Sequence, residues 1–160
     1  MTVTKHETEI IIDTEVPMVH IVREFDAPPE KVFRAHADAE LFAKWMGPKY
    51  LDNRVDEFDC TTGGSYRYAA VADGEEYVFY GSFHEVRPGE LIVQTFSWEG
   101  MPDGVSLDKL RFEALPGGRT RLAATSLVDS FADRDAFVAS GMETGVIEGY
   151  EKLDALLETM

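Results

Sequence analysis

Turn-forming residues recur at near-regular intervals through residues 53–128, and few folds accommodate that spacing. Gly63-Gly64, Asp73-Gly74, Pro88-Gly89 and Pro116-Gly117-Gly118 separate β-rich segments of roughly eight to eleven residues, the span of ordinary strands. Asp-Gly suits the positive φ of a tight hairpin, and connections this short make neighbouring strands antiparallel. A longer loop over 100–104 interrupts the series. The pattern therefore predicts a meander: a first segment from Asn53, then SYRYAAVA, EYVFYGSFHEV, ELIVQTFSWE, VSLDKLRFEAL and GRTRLAATSLV, joined by four tight turns and the longer loop.

Before the meander, MVHIVREF alternates well enough for one more strand, with Pro17 marking an edge or bulge. Pro28 and Pro29 then open EKVFRAHA as a helix, because the first helical amides lack an internal partner in any case. Asp38 is placed to cap a second short helix carrying Leu41, Phe42 and Trp45, which Gly47-Pro48 stops. Residues 1–15 are expected to be a strand extension or a partly ordered arm. After Asp129 the period returns to about 3.6. Met142, Val146, Gly149, Tyr150, Leu153, Leu156, Leu157 and Met160 form one stripe, with Glu143, Glu148, Glu151 and Glu158 largely opposite. A helix with one apolar face needs a surface, and the sheet is the large one on offer. The fold class is α+β, with a curved antiparallel sheet of six to seven strands around a long C-terminal helix.

Composition narrows the partners. Thirty Asp and Glu against fifteen Lys and Arg leave a net charge of −15, a field that repels phosphate backbones and anionic lipid headgroups. Nucleic acid and membrane surfaces are poor partners. Cys60 is the single cysteine and the four histidines show neither HxxxH nor HExxH spacing, so neither a disulfide, a metal site nor a cofactor is expected. Residues 1–15 lack the basic-then-apolar build of a signal peptide, and no apolar stretch approaches the ~18 residues of a membrane span. The expectation is one cytoplasmic domain over residues 1–160, with homodimerisation through a sheet edge or apolar face conceivable.

Two features point to a site. Gly141, Gly145 and Gly149 recur every four residues on the last helix, where each interior glycine costs about 0.8 to 1 kcal/mol against alanine. Either they leave room for a ligand under the helix, or they let the helix pack closely on a neighbour. Aromatic residues are the second feature. Tyr66 and Tyr68 share one strand face; so do Tyr77, Phe79 and Phe83 on the next, and Phe96 and Trp98 on the third. Turned toward the terminal helix, these faces form an aromatic wall bearing phenol and indole hydrogen-bonding groups. The expected ligand contacts add Trp45 from the second short helix and Met142, Val146 and Tyr150 from the last. An ordinary aromatic core is the alternative. His36 and Tyr66 are the candidates for acid–base chemistry, although no triad or GxSxG context accompanies them.

Several stretches in fixed order resemble the START-like helix-grip (SRPBCC) superfamily, in the branch named after the activator of the Hsp90 ATPase. They are Arg23-Glu24-Phe25-Asp26-Ala27-Pro28, Trp45-Met46-Gly47-Pro48, Gly63-Gly64-Ser65-Tyr66-Arg67, Gly81-Ser82-Phe83-His84-Glu85-Val86 and the segment from Gly141-Met142-Glu143 to Leu156-Leu157. The resemblance implies a cavity between the terminal helix and the sheet, and hence binding of a small hydrophobic or aromatic molecule. It also implies two alternatives: an enzyme of the polyketide cyclase, aromatase or hydrolase kind, or an Hsp90-type co-chaperone. Thr61-Thr62, Met46, Val146 and His36 depart from what is usual in the branch, and they touch the interior lining rather than the scaffold.

Overall fold

In the computed structural model, residues 7–160 are described; the start of the expected N-terminal arm, residues 1–6, lies outside them. The order is β1 (Glu9–Ile12), β2 (Met18–Phe25), α1 (Pro29–Ala37), α2 (Ala39–Trp45), β3 (Asp52–Phe58), β4 (Ser65–Ala72), β5 (Glu75–Arg87), β6 (Leu91–Trp98), β7 (Ser106–Leu115), β8 (Arg119–Leu127), α3 (Phe131–Ala139) and α4 (Met142–Thr159). All eight strands lie in one curved, unclosed antiparallel sheet, ordered β1-β2-β8-β7-β6-β5-β4-β3. This is the expected α+β helix-grip architecture with a strand or two more than the sequence suggested. The further strand is β1, built on the apolar run Ile10-Ile11-Ile12 within the segment expected to be a strand extension or a partly ordered arm.

Local chemistry accounts for the corners. Asp73 and Gly74 both take positive φ, 52° and 80°, in the tight β4–β5 turn. Pro29 begins α1, whose Val32, Phe33, Ala35 and His36 are buried. The Asp38 carboxylate accepts the Leu41 amide at 3.1 Å and caps α2. Pro17 marks neither an edge nor a bulge: it stands just ahead of β2, an interior strand, and its carbonyl accepts the Val128 amide. The short helix α3 was not anticipated. Ser130 caps it, and none of its residues is buried.

In β2 every second residue (Val19, Ile21, Arg23 and Phe25) is buried, which fixes the concave, helix-bearing face of the sheet. Arg23 breaks the apolar pattern there and is paired with Asp154 of α4. At the end of the sheet near Phe25 and Leu122, α1 and α4 from Gly149 onward close the core, with Tyr150, Leu153 and Leu157 buried.

Candidate functional site

Two cross-strand rows define the middle of the concave face. Registry places Val19, Ser126, Asp108, Gln94 and Phe83 in one, and Ile21, Ala124, Leu110, Ile92 and Val86 in the next. Val19, Phe83, Ile21 and Ile92 are buried, whereas Ser126, Asp108, Ala124 and Leu110 between them are half-exposed. A residue flanked by strands on both sides and facing a helix is reached by solvent only where the helix stands off. On the covering side, residues 142–148 of α4 include none that is buried: Met142 and Val146 are half-buried, and burial begins at Gly149. The side chains of the concave face are thus buried at one end and half-buried at the other.

The sequence-derived residues divide along that boundary. Tyr66, Tyr68 and Phe83 lie on the concave face and are buried, as are Trp45 and Tyr150, which stack with ring centroids 6.1 Å apart. Phe79 and Phe96 are half-buried on the same face and lie nearly parallel, 5.2 Å between centroids at 18°. Trp98 is 43% exposed at the end of β6, its indole lying over Gly100, and Tyr77 is also exposed, with its hydroxyl donating to Glu75. The expected face sharing on β4, β5 and β6 is present because the irregularity in β5 falls after Phe83, between it and Glu85.

Tyr66 owes its position to Gly81. The phenol lies against Gly81 on the neighbouring strand, where a Cβ would fall 2.8 Å from the ring and 2.0 Å from the Thr95 carbonyl oxygen. Its hydroxyl donates to that carbonyl at 2.6 Å and receives the Gln94 amide at 3.4 Å. Burial raises the pKa values of Tyr66, Tyr68 and Tyr150 well beyond the phenol range, so all three stay neutral donors.

His36 is a packed core histidine. Its Nδ1 lies 2.8 Å from the Val32 carbonyl, its ring meets Trp45 and Phe112 edge-on, and Nε2 is buried without a hydrogen-bond partner. Burial lowers its pKa to about 4, so the ring is neutral near pH 7. The Trp45 indole N–H donates to the Ala35 carbonyl, which holds α2 against α1.

The glycine series resolves as close packing rather than as space over the sheet. Gly141 precedes α4 with φ +90° and serves as its N-cap. A Cβ on Gly145 would meet Pro48 Cδ at 3.4 Å, and one on Gly149 would meet the Trp45 carbonyl at 3.2 Å and Gly47 at 3.3 Å. These glycines face the α2–β3 connection. Periodicity placed them on one side of the helix without saying what that side would touch.

Asp108 is the residue that sequence reasoning missed. It sits on the concave face among half-exposed neighbours, accepts the Ser106 hydroxyl at 2.5 Å, and pairs across the sheet with Gln94 and Ser126. Burial pushes its carboxyl above the ordinary carboxylate range, while hydrogen bonds from Ser106, Ser126 and Gln94 oppose that rise. Its cross-strand partner Gln94 also donates to the Tyr66 hydroxyl, which sets Asp108 one residue from that phenol. A signal was present: in LDKLRF, Lys109 and Arg111 mark the outward positions, leaving Asp108 in phase with Leu110 and Phe112.

A shallow pocket of about 60 Å³ at the other end of α4 is lined by Asp26, Asp154, Leu157 and Glu158. That is room for a few waters, well short of the ~300 Å³ of a small-molecule site. Among the described residues, no group of three or more His, Cys, Asp or Glu side chains is arranged to hold a metal ion, and no helix is long and apolar enough to cross a membrane.

The antiparallel sheet gripping a terminal helix, with two short helices after β2, defines a helix-grip protein of the START-like class. The family described as Activator of Hsp90 ATPase homolog 1-like protein matches residues 26–158, and the chain belongs to that family. Solved structures agree. A Chromobacterium violaceum protein is 29% identical, with 89% of this chain and 97% of that one covered and a TM-score of 0.79. A Mycobacterium smegmatis protein is 25% identical over 94% and 96% of the two chains, with a TM-score of 0.85. One from Arthrobacter aurescens, solved in solution, is 25% identical over 95% and 92%, with a TM-score of 0.87. Among curated proteins none matches this chain.

Proposed function

We propose that the protein binds a small, largely apolar molecule with an aromatic component between the first half of α4 and the concave face of β4–β8. The observation that carries the reading is the solvent contact of Leu110 and Ala124, which face the helix from the interior of the sheet while Ile21 and Ile92 in the same row are buried. Apolar surface held open to water at a concave site gains free energy when a ligand covers it. The parallel Phe79 and Phe96 rings offer an edge for a flat ligand to extend, and the neutral phenols and Gln94 supply directional hydrogen bonds.

The test is titration of the full chain with the neutral fluorescent dye phenylnaphthylamine, alongside thermal-shift and native mass spectrometry. Saturable dye fluorescence with a raised melting temperature, both lost in a Phe96→Asp variant that remains folded, supports the reading. Dye signal absent from the wild type, or unchanged in that variant, overturns it.

A further inference from the structure

On the concave face, Asp108 is an acidic group without a basic partner among the described residues. Arg23, the basic side chain buried on that face, is bound through two hydrogen bonds to Asp154, so its charge is already met. Lys109 and Arg111 flank Asp108 in sequence but point to the opposite face of the sheet. What meets Asp108 from the packed elements is neutral: Ser106 on its own strand, Gln94 on β6 and Ser126 on β8, with the Tyr66 phenol bonded to Gln94 beyond. Among the described residues, no Lys, Arg or His side chain forms an ion pair with it.

We infer that this site selects an organic cation, an amine on an apolar or aromatic body, whose ammonium pairs with the Asp108 carboxylate near the Tyr66 phenol while the body covers Leu110 and Ala124. The inference rests on the binding reading above and names its ligand class. Three physical terms favour it. A carboxylate without a basic partner is stabilised most by a partner that brings the opposite charge and donates hydrogen bonds. Aromatic faces around a carboxylate attract ammonium groups through their quadrupoles and repel anions. The net charge of −15 concentrates cations near the surface and disfavours acids.

Three compounds of matched shape, naphthylethylamine, naphthylethanol and naphthylacetate, are competed against bound phenylnaphthylamine on wild-type protein and on Asp108→Asn. The expected order is amine, then alcohol, then carboxylate, with the amine roughly tenfold tighter than the alcohol, as a charge-assisted hydrogen bond implies. In Asp108→Asn the amine falls to the level of the alcohol. Equal displacement by amine and alcohol in the wild type overturns the cation inference and leaves the binding reading standing. An amine preference that survives in Asp108→Asn overturns the assignment to Asp108. Failure of the dye to bind the wild type at all removes the binding reading and the inference with it. The wild-type ratio decides the matter even if the variant folds poorly.

Discussion

The Arg23 guanidinium holds the Asp154 carboxylate through two hydrogen bonds of 2.8 and 2.7 Å, and so ties β2 to α4 across the chain. Arg23 is 2% exposed and has one further hydrogen bond, to the Glu24 carbonyl, while its Nε is left without a partner. Its charge therefore depends on Asp154. Asp154→Ala is expected to cost about 2 to 3 kcal/mol in urea unfolding, because it strands a buried cation. The double variant Arg23→Met, Asp154→Leu should recover most of that loss, since an apolar pair replaces a desolvated ionic one. A double variant no more stable than Asp154→Ala would show that the pair supplies more than charge compensation.

A second prediction concerns acid stability. His36 is neutral in the fold with a pKa of about 4, against 6.5 for the free side chain. Between those values the unfolded chain binds the additional proton, so the His36 contribution is fully present above pH 6.5 and is lost as pH falls toward 4. The loss amounts to roughly 3 kcal/mol over that window. In His36→Phe, which also removes the unpartnered Nε2, stability at pH 7 should stay within about 1 kcal/mol of wild type. The gap between variant and wild type should then shift in favour of the variant at pH 4.5. Parallel urea titrations at the two pH values measure it, and a gap independent of pH would contradict the neutral, buried ring.

The two interior glycines of α4 should respond in opposite directions. Gly145 faces Pro48 at ordinary contact distance, so Gly145→Ala gains helix propensity and is expected to stabilise by about 0.5 kcal/mol. Gly149 faces backbone atoms of Trp45 and Gly47 at 3.2 to 3.4 Å, and backbone yields less readily than side chains. Gly149→Ala is expected to destabilise by about 1 kcal/mol despite the same propensity gain. Neither should change dye binding if the glycines serve helix contact alone. Thermal denaturation of both variants, with dye titration, checks the pair of outcomes.

The sequence made the scaffold legible where local chemistry was sufficient. Turn residues located every strand corner from Gly63 onward, Asp38 announced a cap, and alternation in residues 18–25 separated the faces of β2. Aromatic parity on β4, β5 and β6 was readable because the β5 irregularity lies beyond Phe83; between Phe79 and Phe83 it would have put those two rings on opposite faces. Long-range partners were not legible. The spacing of Gly145 and Gly149 could not reveal that Pro48 and Gly47 fill the opposite side. Leu107 and Leu110, both apolar but out of phase, obscured the position of Asp108 until Phe112 and the registry with β8 resolved it. The partial exposure of Leu110 depends on how far the start of α4 stands from the sheet, and no local pattern encodes that distance.

Ala124 offers the most direct test of that distance. It lies in an interior strand of the sheet, faces α4, and is half-exposed. Ala124→Leu enlarges the side chain where the open region is expected to have room. In a filled core such a change costs about 1 to 3 kcal/mol through overpacking. Here the added surface has space, so stability should change by no more than about 0.5 kcal/mol. Dye affinity should fall by roughly tenfold, because the new side chain occupies the apolar floor that a ligand would cover. Ala35→Leu, at a fully buried position in α1, is the control and should show the overpacking cost with dye affinity preserved. If Ala124→Leu instead lost as much stability as Ala35→Leu, the space beneath α4 would already be occupied by the chain's own side chains, leaving no room for a ligand.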